Sequence, residues 1–404
     1  MTALRSWCRR VATAVTVLAA LTAAGVGSPS ASAALAAPAT PSAAAPAAPH
    51  STPLFAYFYQ WFDPTSWNRA KIDYPALGKY SSDDVNVLRQ QIEWAKGAGI
   101  TGFVVSWKST DVDNRRLETL MKVATAEKFQ LAMIYQGLDF SRKPLPVARV
   151  AADFSYFQQH FAPDPVFYRM AGKPLTIWSG TWAYSAAEVA TVTRGVRPAM
   201  LVLSTEKSLA GYQRISALTD GDAYYWSSVN PDTNSNYGAK LDQLSKAIHQ
   251  DQKYWIAPFA PGFDARLVGG QQTVDRKDGQ TLRTEYANAV RSSPDLLGLI
   301  SWNEFSENTY VEPSQKYGNL FIQVLSQLRN AGPTASAAAA ASDSSGAAPP
   351  GSHLSAWPNV LRLGGFLLFL IICVALIGRA RRKRNSAPPP DQRVSAPHDL
   401  VRHD

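Results

Sequence analysis

Eight short runs of apolar and aromatic residues recur between residues 54 and 302, each followed by a stretch of helical periodicity. This alternation restricts the fold more than any other feature of the chain. The runs occupy 54–59, 101–106, 130–135, 174–178, 199–204, 222–226, 253–257 and 297–302. Helical stretches lie at 83–97, 114–127, 146–161, 185–194, 209–218, 237–250 and 279–292, with a final one at 314–329. Strands that are apolar along their whole length, separated by amphipathic helices, belong to parallel sheets covered on both faces. Eight such repeats over about 275 residues predict an α/β fold, a (β/α)8 TIM barrel. A doubly wound open sheet is the alternative. It would cradle a nucleotide in a Gly-rich first turn, whereas the first turn here reads Gln60-Trp61-Phe62-Asp63-Pro64.

The flanks differ sharply from this central part. Residues 1–33 carry Arg5, Arg9 and Arg10, then an apolar run, then the small residues Ser30-Ala31-Ser32-Ala33, the order expected of a secretory signal peptide. Residues 34–53 are rich in Ala and Pro and read as a linker. After the barrel at 54–330, residues 331–356 are rich in Ala, Ser, Gly and Pro and read as a disordered stalk. Residues 357–378 are mostly apolar and long enough for one transmembrane helix. The basic run Arg379, Arg381, Arg382, Lys383 and Arg384 opens a cytoplasmic tail at 379–404. The expected topology is a single-pass cell-membrane protein with its barrel extracellular.

The net charge of +9 is concentrated in these flanks. Within 54–330 there are 29 Lys and Arg against 27 Asp and Glu, a balance that removes the electrostatic case for nucleic acid as a partner. Cys8 and Cys373 both lie outside the barrel, so it has no disulfide framework. His160 and His249 are the only histidines within it and stand apart in sequence, so neither a metal nor another cofactor is expected.

Barrel enzymes carry their chemistry at the C-terminal ends of the strands. Those ends hold Tyr57, Tyr59, Trp61, Trp107, Tyr135, Gln136, Trp178, Tyr225, Trp226 and Asp264, with Glu206 after the fifth run. Flat aromatic faces suit the C–H faces of sugars, and carboxylates accept their hydroxyl hydrogens. The eighth run enters Ser301-Trp302-Asn303-Glu304-Phe305-Ser306-Glu307, with Glu312 further on. A helical turn past the strand would bring the Cβ atoms of Glu304 and Glu307 to roughly 5–6 Å on one face. A retaining glycosidase holds its two carboxyl groups roughly 5–5.5 Å apart.

Several stretches together resemble the endo-α-mannosidase and endo-α-mannanase enzymes of glycoside hydrolase family 99. They are Tyr57-Phe58-Tyr59-Gln60-Trp61, Pro75-Ala76-Leu77-Gly78-Lys79-Tyr80-Ser81-Ser82-Asp83, the Ala98–Trp107 segment, Gly172-Lys173-Pro174, Ala260-Pro261-Gly262-Phe263-Asp264, and Ser301–Glu307 with Glu312-Pro313. The resemblance implies a (β/α)8 barrel, endo-acting cleavage of α-mannosidic linkages with retention, and no metal. It assigns to Glu304 the removal of a proton from the substrate's own 2-hydroxyl, which attacks C1 to give a 1,2-anhydro sugar. It assigns to Glu307 the protonation of the leaving group and the later activation of water. Asn303, inside the same motif, joins the aromatic strand ends as a substrate-binding candidate. Family members usually carry Trp at Phe305, often His at Ser306, Gly at Asn308, and an acid where Gln136 stands, so the chain is expected to be a divergent member. A non-catalytic glycan-binding surface protein on the same barrel is the competing reading, and a surface-adhesion protein without a sugar site is a third.

Overall fold

The computed structural model describes residues 52–139 and 141–343. The expected signal peptide, the transmembrane helix at 357–378 and the tail lie outside them. Among the described residues no helix is long and apolar enough to cross a membrane.

Eight parallel strands form the centre: β1 Leu54–Tyr59, β2 Gly102–Trp107, β3 Gln130–Gln136, β4 Lys173–Ser179, β5 Leu201–Leu203, β6 Gly221–Ala223, β7 Tyr254–Phe259 and β8 Leu296–Leu299. Pairing runs β4-β3-β2-β1-β8-β7-β6, and β5 adds to the free side of β4. Beyond β5, a parallel bridge between Ser204 and Asp222 joins the two ends of this order. There the Ser204 N–H donates to the Gly221 carbonyl at 3.0 Å, and the Ala223 N–H donates to Ser204 at 2.8 Å. The ring is therefore closed, as a (β/α)8 barrel requires and an open doubly wound sheet would not be. The two shortest strands of the ring flank this seam, with three residues each. Gly221 has φ 149°, and a Cβ there would stand 1.9 Å from the Tyr254 carbonyl oxygen, so no larger residue fits.

Strand side chains alternate between two cores. Phe55, Val104, Ile134, Ile177, Leu203 and Ile256 fill the barrel interior. Leu54, Phe58, Phe103, Val105, Leu131 and Met133 face outward and pack beneath the helices. These are α1 Val85–Gly97, α2 Asp111–Ala126, α3 Val147–His160, α4 Ala186–Val196, α5 Leu209–Ile215, α6 Tyr237–Gln250, α7 Gln280–Arg291 and α8 Leu320–Asp343. Four of the eight begin where a short polar side chain can take the first free N–H groups: Asp84, Thr110 and Ser208, and Ser185 in a capping box with Glu188.

Three expectations need correction. The sixth strand stops at Ala223, so Tyr225 and Trp226 lie in the following loop. The eighth stops at Leu299: the Ile300 and Trp302 N–H groups still reach Phe259 and Tyr57, but Ser301 between them turns away to pair with Thr309 and Val311. The last helix starts at Leu320 and continues to Asp343, into the stretch expected as a disordered stalk. Its extension runs through an Ala-rich sequence, and alanine is the strongest helix former.

Candidate active site

The chain leaving β8 makes a tight turn rather than a turn of helix. The Phe305 N–H bonds to the Asn303 carbonyl at 3.0 Å, and the Thr309 N–H reaches back to the Glu304 carbonyl at 3.2 Å. Asn308 sits at φ 55°, the left-handed region that Gly and Asn adopt most readily. Side-chain bonds hold Glu304 in place: its N–H donates to Ser301 Oγ at 2.9 Å, and its Oε1 accepts the Ser306 N–H at 2.8 Å. Glu307 is tied through its backbone, whose carbonyl accepts the Asp264 N–H at 2.8 Å. Beneath the turn, Phe305 stacks on Tyr310 at 4.0 Å and meets Trp67 edge-on at 5.8 Å. These rings form a small aromatic core with Tyr59, Phe62 and Tyr80.

Glu304 and Glu307 line a cavity of about 720 Å³ at the C-terminal mouth of the barrel. Of the expected site residues, Tyr59, Trp61, Trp107, Gln136, Tyr225 and Trp226 also border it. The Tyr59 and Tyr225 hydroxyls hydrogen-bond to each other. Trp61 stacks on Tyr59 at 4.4 Å and is 44% exposed, a rim position. Gln136 is oriented by donating from Nε2 to Ser106 Oγ at 3.1 Å.

The other expected residues lie elsewhere. Tyr57 is in the barrel interior, its ring 4.6 Å from that of Tyr225. Tyr135 and Trp178 are register partners across β3 and β4, and both face outward onto Phe154 of α3. The Trp107 ring also packs on that side, against Phe157 and Phe161, although the residue borders the cavity. A place at a strand end does not settle which face a side chain occupies, because successive residues point to opposite faces. Asp264 is paired with Arg266 at 2.6 Å, and its neighbour Phe263 borders the cavity instead. Glu206 is buried and paired with Arg214 at 3.2 Å. Asn303 is fully buried. It accepts the Tyr59 N–H at 2.8 Å and donates to the Tyr59 carbonyl at 2.9 Å, so it positions Tyr59 without reaching the cavity.

Both acids of the turn hold their protons more tightly than an ordinary glutamate. Burial raises Glu304 most, and the nearby charge of Glu307 raises it further, against the Ser306 N–H and Lys71. Burial also raises Glu307, and the Arg142 guanidinium opposes that rise. Two raised carboxyl groups that repel each other's charge retain one proton between them over a wide pH range. Among the described residues, no group of three or more His, Cys, Asp or Glu side chains could hold a metal ion.

Residues 60–320, which carry this turn and most of the barrel, match the model of glycosyl hydrolase family 99. The chain belongs to this family. Across 265 residues it is 23% identical to the glycoprotein endo-alpha-1,2-mannosidase of Rattus norvegicus and 22% identical to that of Mus musculus. Each match takes in 59% of this chain and 56% of the relative, so the chain spans about half the length of these curated relatives. The family 99 endo-alpha-mannosidase of Bacteroides thetaiotaomicron, solved with bis-tris-propane, superposes with a TM-score of 0.62 at 21% identity. That match covers 70% of this chain and 98% of the other, a likeness of fold.

Sequence reasoning missed several residues that border this family 99 cavity: Lys108, Asp113, Arg142, Arg149, Trp182 and Ser227. All lie past the strands, in loops or helix starts, where no periodicity marks which side chain turns inward. Trp182 carried the best available signal, a second tryptophan four residues beyond Trp178 on the same strand-to-helix connection.

Glu312, the third acid of the segment, is buried and accepts hydrogen bonds from Tyr80 Oη and Gln91 Nε2, each at 2.9 Å. Burial pushes its pKa up to about 8, against the pull of those two donors. An acid raised in the folded state stabilises it fully below its unfolded pKa of about 4.3, and that stabilisation is lost as pH rises through the folded value. Glu312→Gln is therefore expected to match the parent in melting temperature near pH 5 and to exceed it near pH 9. The Tyr80 hydroxyl can accept from the new amide as it would from a protonated carboxyl. A melting-temperature difference that stays constant across this range would show that Glu312 does not titrate in the folded protein.

Proposed function

We propose that this protein is a retaining, endo-acting glycoside hydrolase of α-linked mannose-type glycans, working through Glu304 and Glu307. The observation that carries this reading is the pair itself: two adjoining acids with raised pKa values border one cavity with Tyr59, Trp61 and Tyr225. In the free protein, burial favours the shared proton on Glu304. A substrate 2-hydroxyl that donates a hydrogen bond to Glu304 favours its ionised form. The proton then passes to Glu307, which leaves one base and one acid in place. Glu304 takes the 2-hydroxyl proton and O2 bonds to C1. The bond from C1 to the leaving oxygen breaks as that oxygen takes the proton of Glu307. Water, deprotonated by Glu307, opens the resulting 1,2-anhydro sugar at C1, and Glu304 returns a proton to O2. Two displacements at C1 restore its configuration. The proposal extends to location: a membrane anchor at 357–378 holds the barrel outside the cell, and the basic run after it motivates this orientation.

The test is reducing-sugar release from α-mannan by the full chain, with the anomer of the first product read by NMR. The expected result is internal cleavage with initial α-product. Binding of the mannan without release would make the protein a lectin-like binder, and an initial β-product would exclude retention. In the producing cell, added protease is expected to free the barrel while the C-terminal tail stays protected; the reverse pattern would overturn the orientation.

A further inference from the structure

A second corner of the same cavity is built from residues that the chemistry at Glu304 and Glu307 does not use. Trp182 follows β4 and Trp226 follows β6; both border the cavity, with ring centres 6.4 Å apart and planes at 73°. The Lys207 ammonium stands 4.2 Å from the centre of the Trp182 ring and 5.0 Å from that of Trp226, which pins the two rings and makes their surroundings positive. Arg142, from the loop after β3, borders the cavity as well. Its backbone N–H donates to the Asp139 carbonyl at 3.0 Å, which fixes the loop.

Among the described residues neither Arg142 nor Lys207 has a carboxylate at ion-pair distance. The acids around them are engaged or directed elsewhere. Asp139 Oδ1 accepts the N–H groups of Ser141 and Lys143, both at 2.8 Å, and Glu206 is held by Arg214. Glu307 feels the charge of Arg142 without pairing with it. Burial lowers the pKa of Lys207, and the charge of Arg142 lowers it further. Two more cations border the cavity: Arg149, 3.6 Å from Asp153, and Lys108, which donates to the Leu138 carbonyl at 2.8 Å. Arg142, Arg149 and Lys207 are exposed at this rim; like charges gathered there repel, and an anion placed among them relieves that repulsion.

We propose that this corner is a subsite for a sugar residue bearing an anionic substituent, a phosphate or a carboxylate, with Arg142 as its counter-charge and Trp182 and Trp226 as its stacking faces. The inference rests on the glycosidase reading for the remainder of the glycan. Neutral α-mannan is then not the full substrate, and the natural one carries an acidic group on the sugar that occupies this corner.

The experiment measures affinity of the full chain for mannose, mannose 6-phosphate, mannuronate and inorganic phosphate by titration calorimetry. At low salt the wild type is expected to bind mannose 6-phosphate or mannuronate about tenfold or more tighter than mannose, the size of one charge-assisted contact. Whichever acid wins identifies the source of the charge. Arg142→Gln, at an exposed position, is expected to remove the preference, and Trp182→Ala to weaken binding of every sugar. Equal affinity for the charged and neutral sugars in the wild type would overturn the proposal, as would a preference that survives Arg142→Gln. Inorganic phosphate bound as tightly as the sugar phosphate would reduce the corner to an ion site and also overturn it. Hydrolysis of neutral α-mannan is read in parallel. Phosphorylated and uronate-bearing α-mannans are assayed beside it. A preference with hydrolysis of none of these glycans leaves the subsite and removes the glycosidase reading; hydrolysis without a preference does the opposite.

Discussion

Glu304→Gln is expected to lower kcat/KM by about 10²–10⁴-fold on every substrate, the contribution of a well-placed proton-transfer group. The 2-hydroxyl must lose its proton whatever group leaves C1, and the amide cannot accept it. Glu307→Gln should behave differently. It is expected to lose as much on a natural glycan, whose leaving oxygen needs a proton, and much less on a glycosyl fluoride, whose leaving group does not. The substitution at Glu304 keeps size and an oxygen able to accept the Ser306 N–H, so the turn survives and circular dichroism can verify it. Full activity of Glu304→Gln on the fluoride, or of Glu307→Gln on the glycan, would reverse or dissolve the assignment of roles. Hydrolysis untouched by either change would move the chemistry to another part of the cavity.

Asn303→Leu should be among the most destabilising single changes in the barrel. Asn303 bonds both backbone groups of Tyr59, which is 244 residues earlier in the chain, and also donates to Tyr80 Oη at 3.3 Å. Leucine removes these partners and leaves buried polar groups unpaired, at about 1–3 kcal/mol each. The expected loss is about 3–5 kcal/mol. For a domain of this size that is a fall in Tm of about 6–15 °C. Activity should fall even where the protein remains folded, because Tyr59 and its contact with Tyr225 lose their anchor. A Tm within about 2 °C of the parent would mean that water or neighbouring groups replace the clamp.

Much of this architecture was legible before any coordinate. Residues 54–59 and 130–135 read as strands, and both are strands, because a short apolar run rich in aromatic and aliphatic residues and followed by a helical stretch suits a strand covered on both faces. The helix at 237–250 was found with both boundaries, since its apolar residues recur at helical spacing and bury Leu241, Leu244 and Ile248. Where the ladder was short, legibility declined. β5 and β6 are half the expected length or little more, because closing the ring takes only the Ser204–Asp222 bridge.

At the candidate site the same division appears. Glu304, Glu307, Tyr59 and Trp61 could be singled out from the chain because acids and aromatics crowd two strand ends, and a barrel opens its strand ends to one mouth. Tyr135 and Trp178 looked equivalent to them in sequence. The parity of the strand, set by pairing with neighbours far along the chain, turned both toward α3. Asn303 could be placed in the motif, but its bonds to Tyr59 exist only because β1 and β8 are adjacent in the closed ring. Trp182, Lys207 and Arg142 come from three different connections and meet only across the mouth. Side-chain hydrophobicity and local spacing act over a few residues, so they specify which segments become strands and helices. Closure of the ring brings together residues hundreds of positions apart, and it is this closure that chose which polar groups face the cavity and which became its support.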